Sequence, residues 1–164
     1  MPTNHLRFPT VTGKSLTKRI HHLPNDFVGA LNLVLVAFYE HQQAMIDTWL
    51  PVAQQLAARH PRLAYYELPT LARYNPVVQW YINEGMRRGI PDESVRAATI
   101  VLYLDRRAFR HALGLPAEDT IYALLVDQAG HVLWRTEGRC DDYKADLLAA
   151  EIARRQDHGA VLVS

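Results

Sequence analysis

The segment VLVAFYEHQQAMIDTWLP, residues 34–51, decides the fold, because its pattern changes from strand to helix within a few residues. Residues 30–39 are a near-continuous run of aliphatic and aromatic side chains, which is typical of a strand covered on both faces of a sheet. From residue 40 to residue 60, apolar side chains recur at three-and-four spacing, and this spacing predicts an amphipathic helix. Pro51 lies inside that helix and is expected to kink it, because its ring clashes with the preceding turn.

The rest of the chain alternates between the same two patterns. Further strands are predicted at residues 62–68, 98–104, 120–127 and 131–138, helices at 75–89, 105–114 and 141–156, and an edge strand that ends at Pro24. A short Gln-Ala-Gly turn joins the last two strands into a hairpin. This order predicts an α/β protein, a sandwich with a mixed central sheet and helices on both faces.

The chain length of 164 residues predicts a single domain with a core of its own. Residues 1–16 show little periodicity, so an irregular lead-in is expected there. The domain is then expected over residues 17–156, and residues 157–164 are interpreted as a short C-terminal tail.

Charge and cysteine content narrow the classes of function. The 18 basic and 17 acidic residues nearly cancel, so the net charge does not indicate a nucleic-acid partner. The single cysteine, Cys140, excludes an intrachain disulfide. No segment has the apolar pattern of a secretory signal or the length of a transmembrane helix, and we therefore expect a cytoplasmic protein.

Four features carry a resemblance to a known superfamily. VLVAFY (34–39) resembles its central strand, and Pro51 resembles the kinking proline of its first long helix. VRAATIVLYLD (95–105) resembles the strand that follows its cis-proline loop, and LLVDQAGHVLWRTEG (124–138) resembles its C-terminal hairpin. Together they are similar to the thioredoxin-like superfamily, in its peroxiredoxin-like or thiol-reductase-like variety. The resemblance implies a thioredoxin-like three-layer sandwich.

The residues that perform the chemistry of that superfamily are missing. Counted without gaps from Phe38 to Pro51, its Cys-X-X-Cys motif would fall on residues 43–46, which are Gln-Ala-Met-Ile. The cis-proline position corresponds to Ala98, where a trans peptide is expected because a cis bond before a non-proline residue costs about 3 kcal/mol. The resemblance therefore implies a redox-inactive branch with no cofactor.

A narrower resemblance rests on three segments: FPTVTGKSLTKRIHHLP (8–24), FYEHQQAMIDTWL (38–50) and GMRRGIPDESVRAATIVLYLDRRAF (85–109). They look like a group of cysteine-poor thioredoxin-like proteins that includes a mitochondrial ATP synthase assembly factor. This resemblance implies a chaperone-like role for a protein partner, such as a membrane subunit of the complex.

A polar segment follows the central strand, where open α/β sheets place ligands. With the loop before residue 100, it predicts a partner-binding surface, although a solvated helix start would have the same composition. The members of this predicted surface are Tyr39, Glu40, His41, Gln42, Gln43, Trp49, Arg96, Ala98 and Thr99.

Secondary candidates are cationic or nucleophilic. Arg96, Arg106 and Arg110 could form a patch for an anion or an acidic partner, or else a solvated face. Arg87 and Arg88 lie in GMRRGIP (85–91), which we interpret as a shaped loop. Cys140 could be an activated thiol near a helix start or an ordinary half-buried cysteine.

Other residues give weaker signals. The eight histidines have no metal-ligand spacing, so no metal site is expected. His21 and His22 should point to opposite faces of a strand. The three tryptophans lie on apolar faces and are more typical of a core.

The preferred hypothesis is a redox-inactive, thioredoxin-like module that binds or assembles proteins without being an enzyme. The alternative is an enzyme that uses Cys140 as a thiol or transfers a small molecule in the same cleft. A homodimer formed through an edge strand or through the helix at 75–89 is compatible with either.

Overall fold

A computed structural model describes the backbone of residues 6–163 and the side chains of residues 6–156. The strands are β1 Val11–Ser15, β2 Ile20–Leu23, β3 Leu31–Ala37, β4 Leu63–Leu71, β5 Ile100–Tyr103, β6 Tyr122–Asp127 and β7 Val132–Glu137. The α-helices are α1 Gln43–Asp47, α2 Leu50–Arg59, α3 Pro76–Gly89, α4 Glu93–Ala98, α5 Arg106–Leu113 and α6 Asp142–Val163, and a 3-10 helix spans Glu40–Gln42.

The strands form one mixed sheet in the order β2-β1-β5-β4-β3-β6-β7. β3 lies near the middle, parallel to β4 on one side and antiparallel to β6 on the other. Since β6 runs against β3, the segment that leads into β6 lies at the carboxyl end of β3. The predicted mixed central sheet is confirmed, and its register decides what faces the end of β3.

Side chains of β3 alternate between two apolar cores, one on each face of the sheet. Val34 and Val36 pack in the core that also contains Phe109 of α5. Leu33 and Leu35 pack in the other, which contains side chains from α1, α2 and α6. Every residue from 31 to 36 is buried, including Asn32, as the continuous apolar run predicts. The helices therefore cover both faces.

The long helix predicted from residue 40 to 60 is divided into three pieces. The 3-10 helix leads into α1, and α2 begins after a turn at residues 48–49, with Pro51 in its first turn. Proline is tolerated there because its missing N–H has no intrahelical partner in any case. The kink expected at Pro51 inside one continuous helix is therefore not what the structure has: the helix is broken at residues 48–49, and Pro51 lies in the first turn of α2.

Two elements differ from the sequence prediction. Residues 11–15 of the predicted irregular lead-in are strand β1, which pairs with β2 and β5. A Cβ on Gly13 would lie only 2.6 Å from Leu102, so the glycine permits close packing inside this strand. The predicted strand at 98–104 is shorter, because residues up to Ala98 form α4. Residues 1–5 of the lead-in, and the side chains of the predicted tail, lie outside the described residues.

The predictions for the end of the last helix and for the segment GMRRGIP (85–91) also require correction. α6 continues seven residues beyond the predicted end at 156, to Val163. The stretch from Gly85 to Gly89 is the last turn of α3 and not a shaped loop. On α3, Trp80 is 58% exposed, although its apolar face predicted a core position. His21 is buried and His22 exposed on β2, which confirms their opposite orientations.

Candidate functional site

The junction between β3 and α1 is held by the side-chain amide of Gln42. Its Oε1 accepts hydrogen bonds from the backbone N–H groups of Phe38 at 2.8 Å and Tyr39 at 3.2 Å. Its Nε2 donates to the backbone carbonyl of Glu118 at 2.6 Å. Gln42 is fully buried, so these bonds satisfy its amide without water. One side chain thus closes the turn and joins it to the loop before β6.

The loop at residues 114–121, not the segment around Ala98, lies opposite the junction. Glu118 in this loop contacts Gln42 and Tyr39, because the antiparallel pairing of β6 with β3 brings it there. Ala98 instead ends α4, before a strand that β4 separates from β3. The position that sequence reasoning gave to Ala98 was therefore wrong. Its peptide is trans as expected, since the cis bond in the described chain is Leu23–Pro24.

The carboxylate of Glu118 forms ion pairs with two arginines and accepts a hydrogen bond from a tyrosine. Arg110 Nε lies 3.0 Å from Oε2, and Arg106 Nε lies 3.4 Å from Oε1. The hydroxyl of Tyr39 donates to Oε1 at 3.2 Å. The guanidinium of Arg106 also lies 5.2 Å from the centre of the Tyr39 ring, and His41 stacks on that ring at 5.6 Å. We name these five residues the Glu118 cluster. Within it, the contacts of Glu118, Arg106 and His41 hold the ring of Tyr39 in one orientation.

A buried carboxyl group lies beneath α1. Glu67 on β4 is only 4% exposed, and this burial raises the pKa of its carboxyl group above the ordinary value. Gln43 Nε2 donates to Glu67 Oε1 at 3.1 Å, and Thr99 Oγ1 lies 3.4 Å from Oε2. The hydroxyl of Thr99 also donates to the carbonyl of Val95 at 2.7 Å. A protonated Glu67 could therefore donate to Thr99 Oγ1.

Only part of the predicted surface reaches solvent. Tyr39, Glu40, His41 and Gln43 are exposed. The side chains of the other predicted members are buried or only partly exposed. Trp49 is fully buried, and its Nε1 donates to the carbonyl of Gly138 at 3.0 Å, so assigning it to a surface was wrong. Gln42 and Thr99 are buried too, and Ala98 is half-buried.

The arginines do not form one anion patch. Arg106 and Arg110 are engaged with Glu118, whereas the guanidinium of Arg96 donates to the carbonyls of Ile90 and Arg87. Arg96 therefore satisfies the C-terminal carbonyls of α3, which need partners at a helix end. The combined patch predicted from Arg96, Arg106 and Arg110 is thus not present.

Cys140 lies outside the junction, after β7. Its backbone N–H donates to Thr48 Oγ1 at 2.8 Å, and its thiol approaches the carbonyl of Asp141 at 3.5 Å. Burial, followed by the charge of Asp141, raises the pKa of the thiol. This environment disfavours the thiolate, which is the nucleophilic form.

Among the described residues, no group of three or more His, Cys, Asp or Glu side chains could hold a metal ion. None of the helices in the described part of the chain is both long and apolar enough to cross a bilayer.

Comparison with protein families identifies the chain. Residues 3–154 match the family described as ATP10 protein, which is most of the 164 residues. The chain belongs to the ATP10 protein family. This membership agrees with the resemblance to an ATP synthase assembly group and supports an assembly-type module. A comparison of this ATP10-family chain with curated protein sequences gives no match.

Solved structures establish the fold of this ATP10-family chain as thioredoxin-like. BsSco, a member of the Sco family of cytochrome c oxidase assembly proteins, is similar at 12% identity and TM-score 0.63, over 92% of this chain and 94% of that one. A thiol:disulfide interchange protein from Bacteroides sp. is 17% identical with TM-score 0.58, over 92% and 88% of the two chains. The exposed lipoprotein thioredoxin Etrx1 of Streptococcus pneumoniae is 12% identical with TM-score 0.56, over 87% and 99%. At these identities the likeness concerns the fold alone.

Sequence reasoning missed two residues of the site. Glu67 gave a signal, since it is a lone carboxylate inside the apolar run at 62–68. Glu118 gave none, because its contact with the junction depends on the pairing of β6 with β3.

Replacing Gln42 with leucine should destabilise the protein strongly. The Gln42→Leu variant keeps a similar side-chain volume but leaves two backbone N–H groups and one carbonyl without their partner. We expect the free energy of unfolding to fall by about 3 kcal/mol, measured by urea denaturation. Gln54→Leu, at an exposed position of α2, is the matched control and should change it by less than about 0.5 kcal/mol. Equal effects of the two substitutions would contradict the role given to Gln42.

Replacing Glu67 with glutamine should stabilise the protein at neutral pH. Because the pKa of Glu67 is raised in the folded state, wild-type stability declines as pH rises from the ordinary value of 4.5 through the folded-state pKa. Glu67→Gln removes this ionisation, so its advantage over wild type should be largest at pH 7 and vanish near pH 4. Denaturation curves across this range measure it, with Glu137→Gln, at an exposed position of β7, as control. A pH-independent difference would refute the buried-carboxyl interpretation.

Proposed function

We propose that this protein is a redox-inactive module that holds a protein segment during assembly of a larger complex. The contact would be made by the exposed part of the junction together with the arginine above Tyr39. This junction surface consists of Tyr39, Glu40, His41, Gln43 and Arg106.

The absence of thiol chemistry is supported by what occupies the junction. Dithiol exchange requires a thiolate at the start of the helix, where the dipole lowers its pKa. The two positions are Gln43, which bonds Glu67, and Ile46, which is only 1% exposed in the core. Cys140 is at another place in the fold, in surroundings that raise its pKa. This environment also speaks against the alternative of a thiol-dependent enzyme.

Binding is supported chiefly by the three hydrogen bonds of Gln42. They fix the backbone at the end of β3 without any reactive group. A preformed surface loses less entropy when a partner binds than a mobile one does. The Glu118 cluster adds an aromatic ring and charged groups, which suit recognition of a polar protein segment.

The class of partner follows from the family and the charge. Membership of the ATP10 protein family favours a protein subunit as partner. The net charge of +1 gives no general attraction for nucleic acid. A second copy of the chain remains the competing partner, and the cytoplasmic location expected from the sequence stays a prediction.

Redox assays test the first half of the proposal. Wild type should catalyse insulin reduction and peroxide consumption no faster than a Cys140→Ser variant, because neither junction position carries a thiol. Turnover that depends on Cys140 would refute redox inactivity. The rate of thiol alkylation against pH is the second readout, and it should report a pKa above the free value of about 8.5.

Site-specific cross-linking tests the second half. A photoreactive amino acid at Glu40 should form an adduct with another protein in native cells, whereas the same group at Tyr143, which is 71% exposed on α6, should not. Arg106→Ala should reduce the Glu40 adduct severalfold, since Arg106 orients the neighbouring Tyr39 ring. Mass spectrometry identifies the partner. Equal labelling from both positions, or an adduct with a second copy of the chain, would count against an assembly surface at the junction.

A further inference from the structure

Helix α3 exposes an aromatic and aliphatic face to solvent. Val77 is 67%, Trp80 58% and Tyr81 70% exposed, and the helix has no buried residue. The side chains of the opposite face, at Gln79, Ile82, Asn83 and Met86, are more covered. A helix of a globular protein normally places its apolar stripe against the core. α3 places Ile82 and Met86 toward the domain but leaves a second apolar face, with Val77, Trp80 and Tyr81, in solvent.

Polar groups attach α3 to the rest of the domain. Tyr103 on β5 donates its hydroxyl hydrogen to Asn83 Oδ1 at 2.6 Å. Arg96 on α4 donates to the carbonyl of Arg87 at 2.8 Å. At the other end, Asn75 Oδ1 accepts from the N–H of Val78 at 3.0 Å and caps the helix. Because hydrogen bonds at the inner side hold the helix, the aromatic face is left free.

Cationic side chains lie at both ends of this aromatic face. Arg73 precedes the helix and is exposed, and Arg88 is exposed in its last turn. Residues 77, 81 and 88 fall on one stripe of the helix, since 11 residues are close to three full turns. Tyr74, immediately before the helix, adds a side chain that is 45% exposed. The surface thus has aromatic and aliphatic groups at its centre and arginines at its ends. It also includes one carboxylate, Glu84, which is partly covered and lies 3.9 Å from the guanidinium of Arg87.

This pattern fits the boundary between water and an anionic bilayer. Trp and Tyr rings favour the headgroup level, and arginines next to them attract anionic lipids. A second protein copy fits less well. A 14-residue helix is about 21 Å long, and one face of it is well below the ~800 Å² per partner that a stable interface buries. Shallow insertion of a helix that is too polar to span the membrane needs no such area.

We propose that α3 docks the protein on an anionic membrane surface. The docking surface consists of Val77, Trp80 and Tyr81, with Arg73 and Arg88 at its ends. This inference is independent of the junction surface, so either can fail without the other.

Vesicle binding by the full chain tests the proposal. The protein should bind vesicles of phosphatidylcholine mixed with phosphatidylglycerol and bind pure phosphatidylcholine vesicles much more weakly. Trp80→Ala/Tyr81→Ala should lower the affinity at least tenfold, while Tyr143→Ala, at an equally exposed position of α6, should leave it unchanged. Arg73→Gln/Arg88→Gln should lower it by about fivefold per arginine. Arg59→Gln/Arg62→Gln, a pair of exposed arginines elsewhere, is its control.

Tryptophan fluorescence gives an independent readout. Trp49 is fully buried and Trp134 packs against it, so Trp80 is the exposed reporter. Lipids brominated in the acyl chain should quench its emission on binding, and Trp80→Phe should bind but lose the quenching.

Three results would overturn the proposal. The first is equal binding to both kinds of vesicle, and the second is binding that the Trp80→Ala/Tyr81→Ala variant retains in full. The third is a dimer without vesicles, measured by light scattering, that this variant dissociates, since the face would then be an interface between copies.

Discussion

The fully buried amide of Gln42 is the interaction on which the candidate site depends. It binds two backbone N–H groups of its own turn and a carbonyl from a loop 76 residues away in the chain. The end of the central strand, the start of α1 and the approach to β6 therefore share one side chain. A buried amide bonded on both its oxygen and its nitrogen fixes geometry in a way that apolar packing does not, because hydrogen bonds are directional.

Two carboxyl groups near that amide, those of Glu118 and Glu67, lie in different environments. Glu118 is partly exposed and lies in contact with two guanidinium groups. Glu67 is buried beside an amide and a hydroxyl, and no cation in the described part of the chain is paired with it, so burial raises the pKa of its carboxyl group. One carboxyl group thus forms ion pairs with the loop's neighbouring arginines, and the other is a buried hydrogen-bonding group beneath the helix.

The secondary-structure elements that local sequence patterns determine could be predicted from the sequence. The contacts that depend on how strands pair in the sheet could not. The run at 30–39 identified β3 because burial on both faces leaves no polar alternation. Strand β1 was missed because Gly13, needed for close packing against Leu102, weakens the strand pattern. Trp80 was misplaced because helical periodicity shows which residues share a face but not which face meets the sheet. Glu118 needed the register of β6, and no short segment contains it.

The junction has Gln43 and Ile46 at the two positions where the resemblance places cysteines, and this also concerns the surroundings in which the protein can operate. The state of a dithiol follows the reduction potential of its compartment, and the local geometry changes with it. The junction is held by the amide of Gln42, and its three hydrogen bonds involve only amide and backbone groups, which thiol oxidants and reductants do not change. These bonds at the end of the central strand therefore contain no group that responds to the glutathione balance around the protein.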